Sequence, residues 1–134
     1  MCIDISSYIE SFSAIKEGSV VTLINEPEGY RELISSVNPH INIQFNLNKG
    51  VDLIHLFTKS KKELSVEFPR LIKYLTEHSR LWISWPREKP NFITDLDEVS
   101  IVEMGNSHGL LGTEKGTIDE NWLVIKFKNK DKVE

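Results

Sequence analysis

Arg80-Leu81-Trp82-Ile83-Ser84-Trp85-Pro86 is the stretch on whose reading the fold depends. It is short, rich in aromatic and β-branched residues, and closed by a proline that cannot donate to a central ladder, which is the pattern of a buried strand. Both of its faces carry apolar residues, as expected of a strand covered on both sides. Trp82 and Trp85 stand three residues apart and therefore point to opposite faces. One is expected in the core and the other beside a surface cleft next to Ser84.

On the amino-terminal side, Ser60 and Glu63 form a capping box for a helix running from Lys61 to about Glu77, with Leu64, Phe68, Leu71, Ile72 and Leu75 on one stripe. Pro69 inside it predicts a kink near Val66. Val51 to Phe57 precedes it as an apolar strand carrying Asp52 and His55. Further back, Val20-Val21-Thr22-Leu23-Ile24 reads as a strand covered on both faces. It is followed by the turn Asn25-Glu26-Pro27-Glu28-Gly29 and a helix from Glu28 to Val37. Ile41, Ile43 and Phe45 alternate with polar residues as an edge strand. Only Leu47-Asn48-Lys49-Gly50 separates that strand from the next, so the two form a hairpin or the first is short and staggered.

On the carboxyl-terminal side, Arg87 to Asn91 is a polar loop, and Thr94 or Asp95 caps a helix carrying Val99, Ile101, Val102 and Met104. Leu110 to Ile118 and Trp122 to Phe127 read as two strands joined through Asp119-Glu120-Asn121. Residues 1 to 16, with Ile5, Ile9 and Phe12, suggest a short amphipathic helix, and residues 129 to 134 a charged tail. The whole, residues 1 to 134, is expected to be a single three-layer Rossmann-like α/β domain, its sheet mainly parallel with an antiparallel C-terminal hairpin.

Sixteen Lys and Arg against twenty Asp and Glu give a net charge of −4, which disfavours sequence-wide attraction to nucleic acid. No apolar run approaches the roughly 20 residues of a membrane span, and no signal segment opens the chain. With one cysteine, Cys2, no internal disulfide can form, which fits a reducing cytoplasm. The expected location is cytoplasmic, without nucleic-acid or membrane partners.

The turn after the first strand decides what can bind there. A dinucleotide-binding loop needs several glycines so that backbone can approach a pyrophosphate. Here there is only Gly29, and Glu26 and Glu28 would repel the phosphates. Dinucleotide binding is disfavoured, and two carboxylates offer too few oxygens for a hard cation. His55 lies among apolar neighbours and reads as a satisfied core histidine. His40, His78 and His108 lack metal-ligand spacing. No Gly-x-Ser-x-Gly elbow surrounds Ser84. Asp119 and Glu120, like Thr94 and Asp95, have a structural explanation first, as turn and cap residues.

Asn25-Glu26-Pro27-Glu28-Gly29-Tyr30, Asp52 through Ser60, Leu81 through Pro86, Thr94-Asp95-Leu96 and Asp119-Glu120-Asn121-Trp122 together resemble the signature segments of the domain-of-unknown-function family 3052, small bacterial proteins without an assigned activity. The resemblance spans residues 15 to 128. The sequence departs from the family pattern at Pro90-Asn91-Phe92 and at Leu123. At the level of fold alone, the order of an Asp-opened strand, a helix, the Arg80 to Trp85 strand and a closing hairpin is similar to the second half of Rossmann-like methyltransferases. Without a glycine loop or an acidic residue ending a second strand to hold a ribose, no cofactor is expected from that similarity.

The expected function is a non-catalytic binding or regulatory module for a small molecule or a protein. The alternative is a small transferase-like enzyme using Ser84, Lys59 and Asp95. In either case the site is expected at the carboxyl ends of the strands, where Asn25, Glu26, Thr58, Lys59, Ser84, Trp85, Thr94 and Asp95 would converge. Free N–H groups at the helix start after Lys59 would give it an anion-friendly edge.

Overall fold

The computed structural model describes residues 18–37, 40–44, 47, 50–76, 78–87, 94–118 and 121–129. The expected helix over 1 to 16, Pro90-Asn91-Phe92, Asp119-Glu120 and the charged tail beyond 129 lie outside them. The described elements are β1 (Val20–Ile24), α1 (Tyr30–Val37), β2 (Asn42–Gln44), β3 (Leu53–Phe57), α2 (Lys61–Ile72), β4 (Arg80–Pro86), α3 (Glu98–Ser107), β5 (Leu110–Thr117) and β6 (Trp122–Asn129).

The strands form one sheet in the order β2-β1-β3-β4-β6-β5. β1 pairs in parallel with both β2 and β3, β3 pairs in parallel with β4, and β6 runs antiparallel to β4 and β5. This is a mixed α/β, Rossmann-like sheet with an antiparallel C-terminal pair. β4 sits between β3 and β6, and every residue from Leu81 to Pro86 is buried.

β2 and β3 are not a hairpin; they flank β1 on opposite sides. The short connection between them suffices because β2 is only three residues long. Gln44 pairs at Thr22, and β3 begins at Leu53 beside Val21. The chain therefore steps back about one residue while crossing two strand spacings, roughly 10 Å, instead of retracing a full strand.

Two apolar clusters lie on the two faces of the sheet. Tyr30 and Ile34 of α1 join Val21, Leu23, Leu53, Phe57 and Trp82 in one. Leu64, Phe68 and Leu71 of α2 join Ile54, Leu56, Leu81, Ile83 and Trp85 in the other. The period-2 geometry of β4 thus sends Trp82 to the first cluster and Trp85 to the second. Both tryptophans are only 4% exposed.

Two helix expectations are corrected. α2 runs unbroken from Lys61 to Ile72 instead of reaching Glu77, and Pro69 falls in its last turn. There the missing N–H removes a single bond, and Tyr74 N–H to Leu71 O and Leu75 N–H to Ile72 O close the end with tighter i to i+3 bonds. The cap of α3 is Asp97, not Thr94 or Asp95: its carboxylate accepts from Ser100 N–H at 2.8 Å, and Ser100 Oγ reciprocates toward Asp97 N.

Candidate site at the carboxyl end of the sheet

The chain leaves β1 for β2 on one side and returns to β3 on the other, with α1 and α2 on opposite faces. In open α/β sheets a reversal of this kind is where ligands bind, in the crevice expected beyond the carboxyl ends of β1 and β3. Asn25 follows β1 in the left-handed region, φ 58°, a conformation that asparagine tolerates better than most residues. Gly29 closes the turn at φ 85°, and a Cβ there would meet nothing within 4 Å. This glycine serves the turn, not a close approach of backbone to a ligand. Glu26 forms an ion pair with Arg31 of α1.

At the end of β3, Thr58 donates its backbone N–H to Ser84 O at 3.0 Å. Its side chain is fully buried, and Oγ1 has no hydrogen-bond partner among the described residues. An orphaned buried hydroxyl costs on the order of 1 to 3 kcal/mol. Lys59 is exposed; its N–H donates to Glu63 Oε1 at 3.2 Å and its carbonyl accepts from Thr94 Oγ1 at 2.7 Å. Asp95 Oδ1 accepts from Lys61 N–H at 2.9 Å, and Ser60 Oγ accepts from Glu63 N–H at 3.1 Å. The start of α2 is thus already engaged by Asp95 and Ser60, and much of the anion-friendly edge expected there is internally satisfied.

Ser84 does not face the crevice. It pairs across the sheet with Phe57 and Val124, and its Oγ lies 2.7 Å from His55 Nε2. His55 Nδ1 lies 2.9 Å from Tyr30 Oη, so a fully buried Tyr30–His55–Ser84 chain ties α1 to β3 and β4. The sequence identifies His55 as a core histidine but not its partners, which come from 25 and 29 residues away. Burial, with help from the nearby Lys126 charge, pushes the His55 imidazole down to about 3. A neutral ring donates at one nitrogen and accepts at the other, so the chain is directional.

This has a measurable consequence for stability. Between about pH 3 and the ordinary 6.5, unfolded His55 binds a proton that the folded one refuses. Stability is therefore full above pH 6.5 and falls as pH drops through that window, with a limiting slope of about 1.4 kcal/mol per pH unit. Urea unfolding at pH 5.5 and 4.5 should show wild type losing about 1 kcal/mol more than His55→Gln. Equal losses would mean that His55 accepts a proton in the folded state.

Beside the crevice, on the α3 side of the sheet, lies a groove of about 660 Å³. Trp85, Leu96 and Leu123 contribute its apolar part, and Thr94 and Asp95 also line it. The structure therefore gathers Trp85, Thr94 and Asp95 at the groove, places Asn25, Glu26, Thr58 and Lys59 at the ends of β1 and β3, and withdraws Ser84 into the core. Arg87, Lys115 and Asp97, which also line the groove, had no sequence signal. Among the described residues no three His, Cys, Asp or Glu side chains come together as a metal-binding group.

No protein-family profile and no curated protein matches the chain. Solved structures do. A SAM-dependent methyltransferase from Aquifex aeolicus superposes with a TM-score of 0.64 at 11% identity, over 95% of this chain and 90% of that one. An O-methyltransferase from neocarzinostatin biosynthesis, solved with S-adenosylmethionine and 2-hydroxy-5-methyl naphthoic acid, gives 0.64 at 8% identity over 92% and 53%. A protein of the NADB-Rossmann superfamily from Streptococcus agalactiae gives 0.57 at 8% identity over 96% and 70%. At such identities the likeness carries the fold alone.

Proposed function

We propose that this chain is a small transferase-like enzyme of the methyl-transfer type, with its donor site in the crevice at the carboxyl ends of β1 and β3. The observation that carries the reading is the β1/β3 switch point in a sheet whose solved neighbours include several methyltransferases. The turn after β1, Thr58 to Ser60 after β3, Trp85-Pro86 ending β4, Thr94 to Leu96, and Trp122, which pairs with Pro86, all lie at this one end of the sheet.

S-adenosylmethionine fits the residues present in its charge. Glu28, and Glu26 although it is paired with Arg31, are unfavourable to a pyrophosphate and suit a molecule that bears an ammonium and a sulfonium beside a single carboxylate and no phosphate. Thr58 Oγ1 supplies a buried hydroxyl in need of a partner. Asn25, Glu26, Thr58 and Lys59 would hold the molecule, which when bound supplies an activated methyl group.

Thermal unfolding with added S-adenosylmethionine and S-adenosylhomocysteine tests this. A ligand at 100 times its dissociation constant adds about 2.7 kcal/mol to stability, and Glu26→Gln should reduce the gain. No stabilisation by either compound would overturn the reading.

One observation favours the non-catalytic module instead: Ser84 and His55, the nearest serine and histidine to a catalytic pair, are sealed in the core. Stabilisation by S-adenosylmethionine without methyl transfer to any acceptor would select that second reading.

A further inference from the structure

We infer that the groove beside β4 is a second ligand site, separate from the β1/β3 crevice, and that it takes a small zwitterion with an apolar body, of the class of a free aromatic or aliphatic amino acid. The volume, about 660 Å³, lies within the range of small-molecule pockets, roughly 300 to 1,000 Å³. Its charges are sorted by segment. The segment leading into α3 contributes Asp95, Asp97 and Glu98, while Arg87 after β4 and Lys115 on β5 bring the cations. Trp85, Leu96 and Leu123 supply the apolar part of the lining.

Hydrogen bonds from the Ser100 backbone and side chain hold the Asp97 carboxyl below its ordinary range. Asp95 and Asp97 are partly neutralised by the N–H groups they accept at the starts of α2 and α3. Glu98 and Lys115, both in the lining, pair at 2.8 Å with side chains 47% and 58% exposed. An exposed pair of this kind is worth only about 0 to 1 kcal/mol. A ligand can therefore part them at little cost, its ammonium turning to the acidic segment and its carboxylate to Lys115. A molecule with only one of these charges would leave one member of the parted pair without a partner, which is the basis of selectivity. A polyanion is disfavoured by the three carboxylates.

The inference does not depend on the methyl-transfer reading, and its test leaves the β1/β3 crevice untouched. Phenylalanine, N-acetylphenylalanine and phenylalaninamide are titrated into the full-length protein while backbone amide shifts are followed. Phenylalanine should move signals from Thr94 to Glu98 and from Lys115 to Thr117, and both capped analogues should bind at least about threefold more weakly. Lys115→Gln should weaken phenylalanine and the N-acetyl compound but not the amide, and Glu98→Gln should weaken phenylalanine and the amide but not the N-acetyl compound. Both substitutions are at exposed side chains, and unchanged spectra before titration verify the fold. Three outcomes would each overturn the proposal: equal binding of the three probes, equal weakening of all three by either variant, or no response at about 10 mM, beyond the millimolar range of weak ligands. Tighter binding of a peptide with an internal phenylalanine would overturn it in favour of a peptide groove.

Discussion

Trp82→Ala is expected to destabilise the protein by about 3 to 5 kcal/mol, the range for truncating a buried large aromatic. Trp82 is 4% exposed on the central strand, between His55 of β3 and Lys126 of β6 in register. Its ring meets the His55 ring edge-on, with centroids 5.4 Å apart, and Lys126 Nζ lies 4.6 Å from its centroid. Removal opens a cavity against the Tyr30–His55–Ser84 chain and takes away the ring that lies against a largely buried ammonium. The neighbouring strands are held by backbone ladders and cannot close over the gap. Urea unfolding with an unchanged m-value is the measurement, and a loss below about 1 kcal/mol would show that Trp82 is not a core residue.

Gly105→Val should cost about 1 to 3 kcal/mol or more, by overpacking. Gly105 is buried on α3, and a Cβ placed there would overlap the Phe127 ring, with Cζ at 2.8 Å. Phe127 is itself fully buried and packs edge-on against Phe68, so it has little room to retreat. The helix must move off the sheet instead, carrying Asp97 and Glu98 and hence the acidic segment of the groove with it. Gly112→Ala is the control. A Cβ there meets Phe127 Cε1 at 3.7 Å and Ile125 Cγ2 at 3.8 Å, ordinary contacts, and the change should cost well under what Gly105→Val does. Equal losses in the two variants would remove the close helix-to-sheet approach as the explanation.

The two predictions differ in how far the sequence anticipates them. Trp82 stands out at once as an aromatic in an apolar run. Gly105 looks like an ordinary helix stop, and only the packed structure shows that its missing side chain is what lets α3 seat on Phe127. The same division runs through the candidate residues. The place of Asn25 and Glu26 beyond β1 is legible because a strand followed by a turn with Pro27 and Gly29 marks a carboxyl end of the sheet. Arg87 and Lys115 are not, because exposed cations on a loop and a strand carry no period and no motif.

What the sequence by itself determined is therefore local: the buried apolar run of β4, the helical stripe and the Ser60 cap of α2, the opposite facing of Trp82 and Trp85, and the parallel-then-antiparallel order of elements. These follow from side-chain periodicity and cap chemistry, which act over a few residues. What only the tertiary structure decided is where long-range partners meet. It set β2 and β3 on opposite sides of β1, closed Ser84 onto His55 instead of opening it to the crevice, gave Glu26 to Arg31, and bound Asp95 to the first turn of α2. Each depends on strand register and helix placement across tens of residues. Hydrogen bonds and ion pairs formed at those distances are selected by the assembled sheet, because a buried polar group must take whichever partner the packing brings within reach.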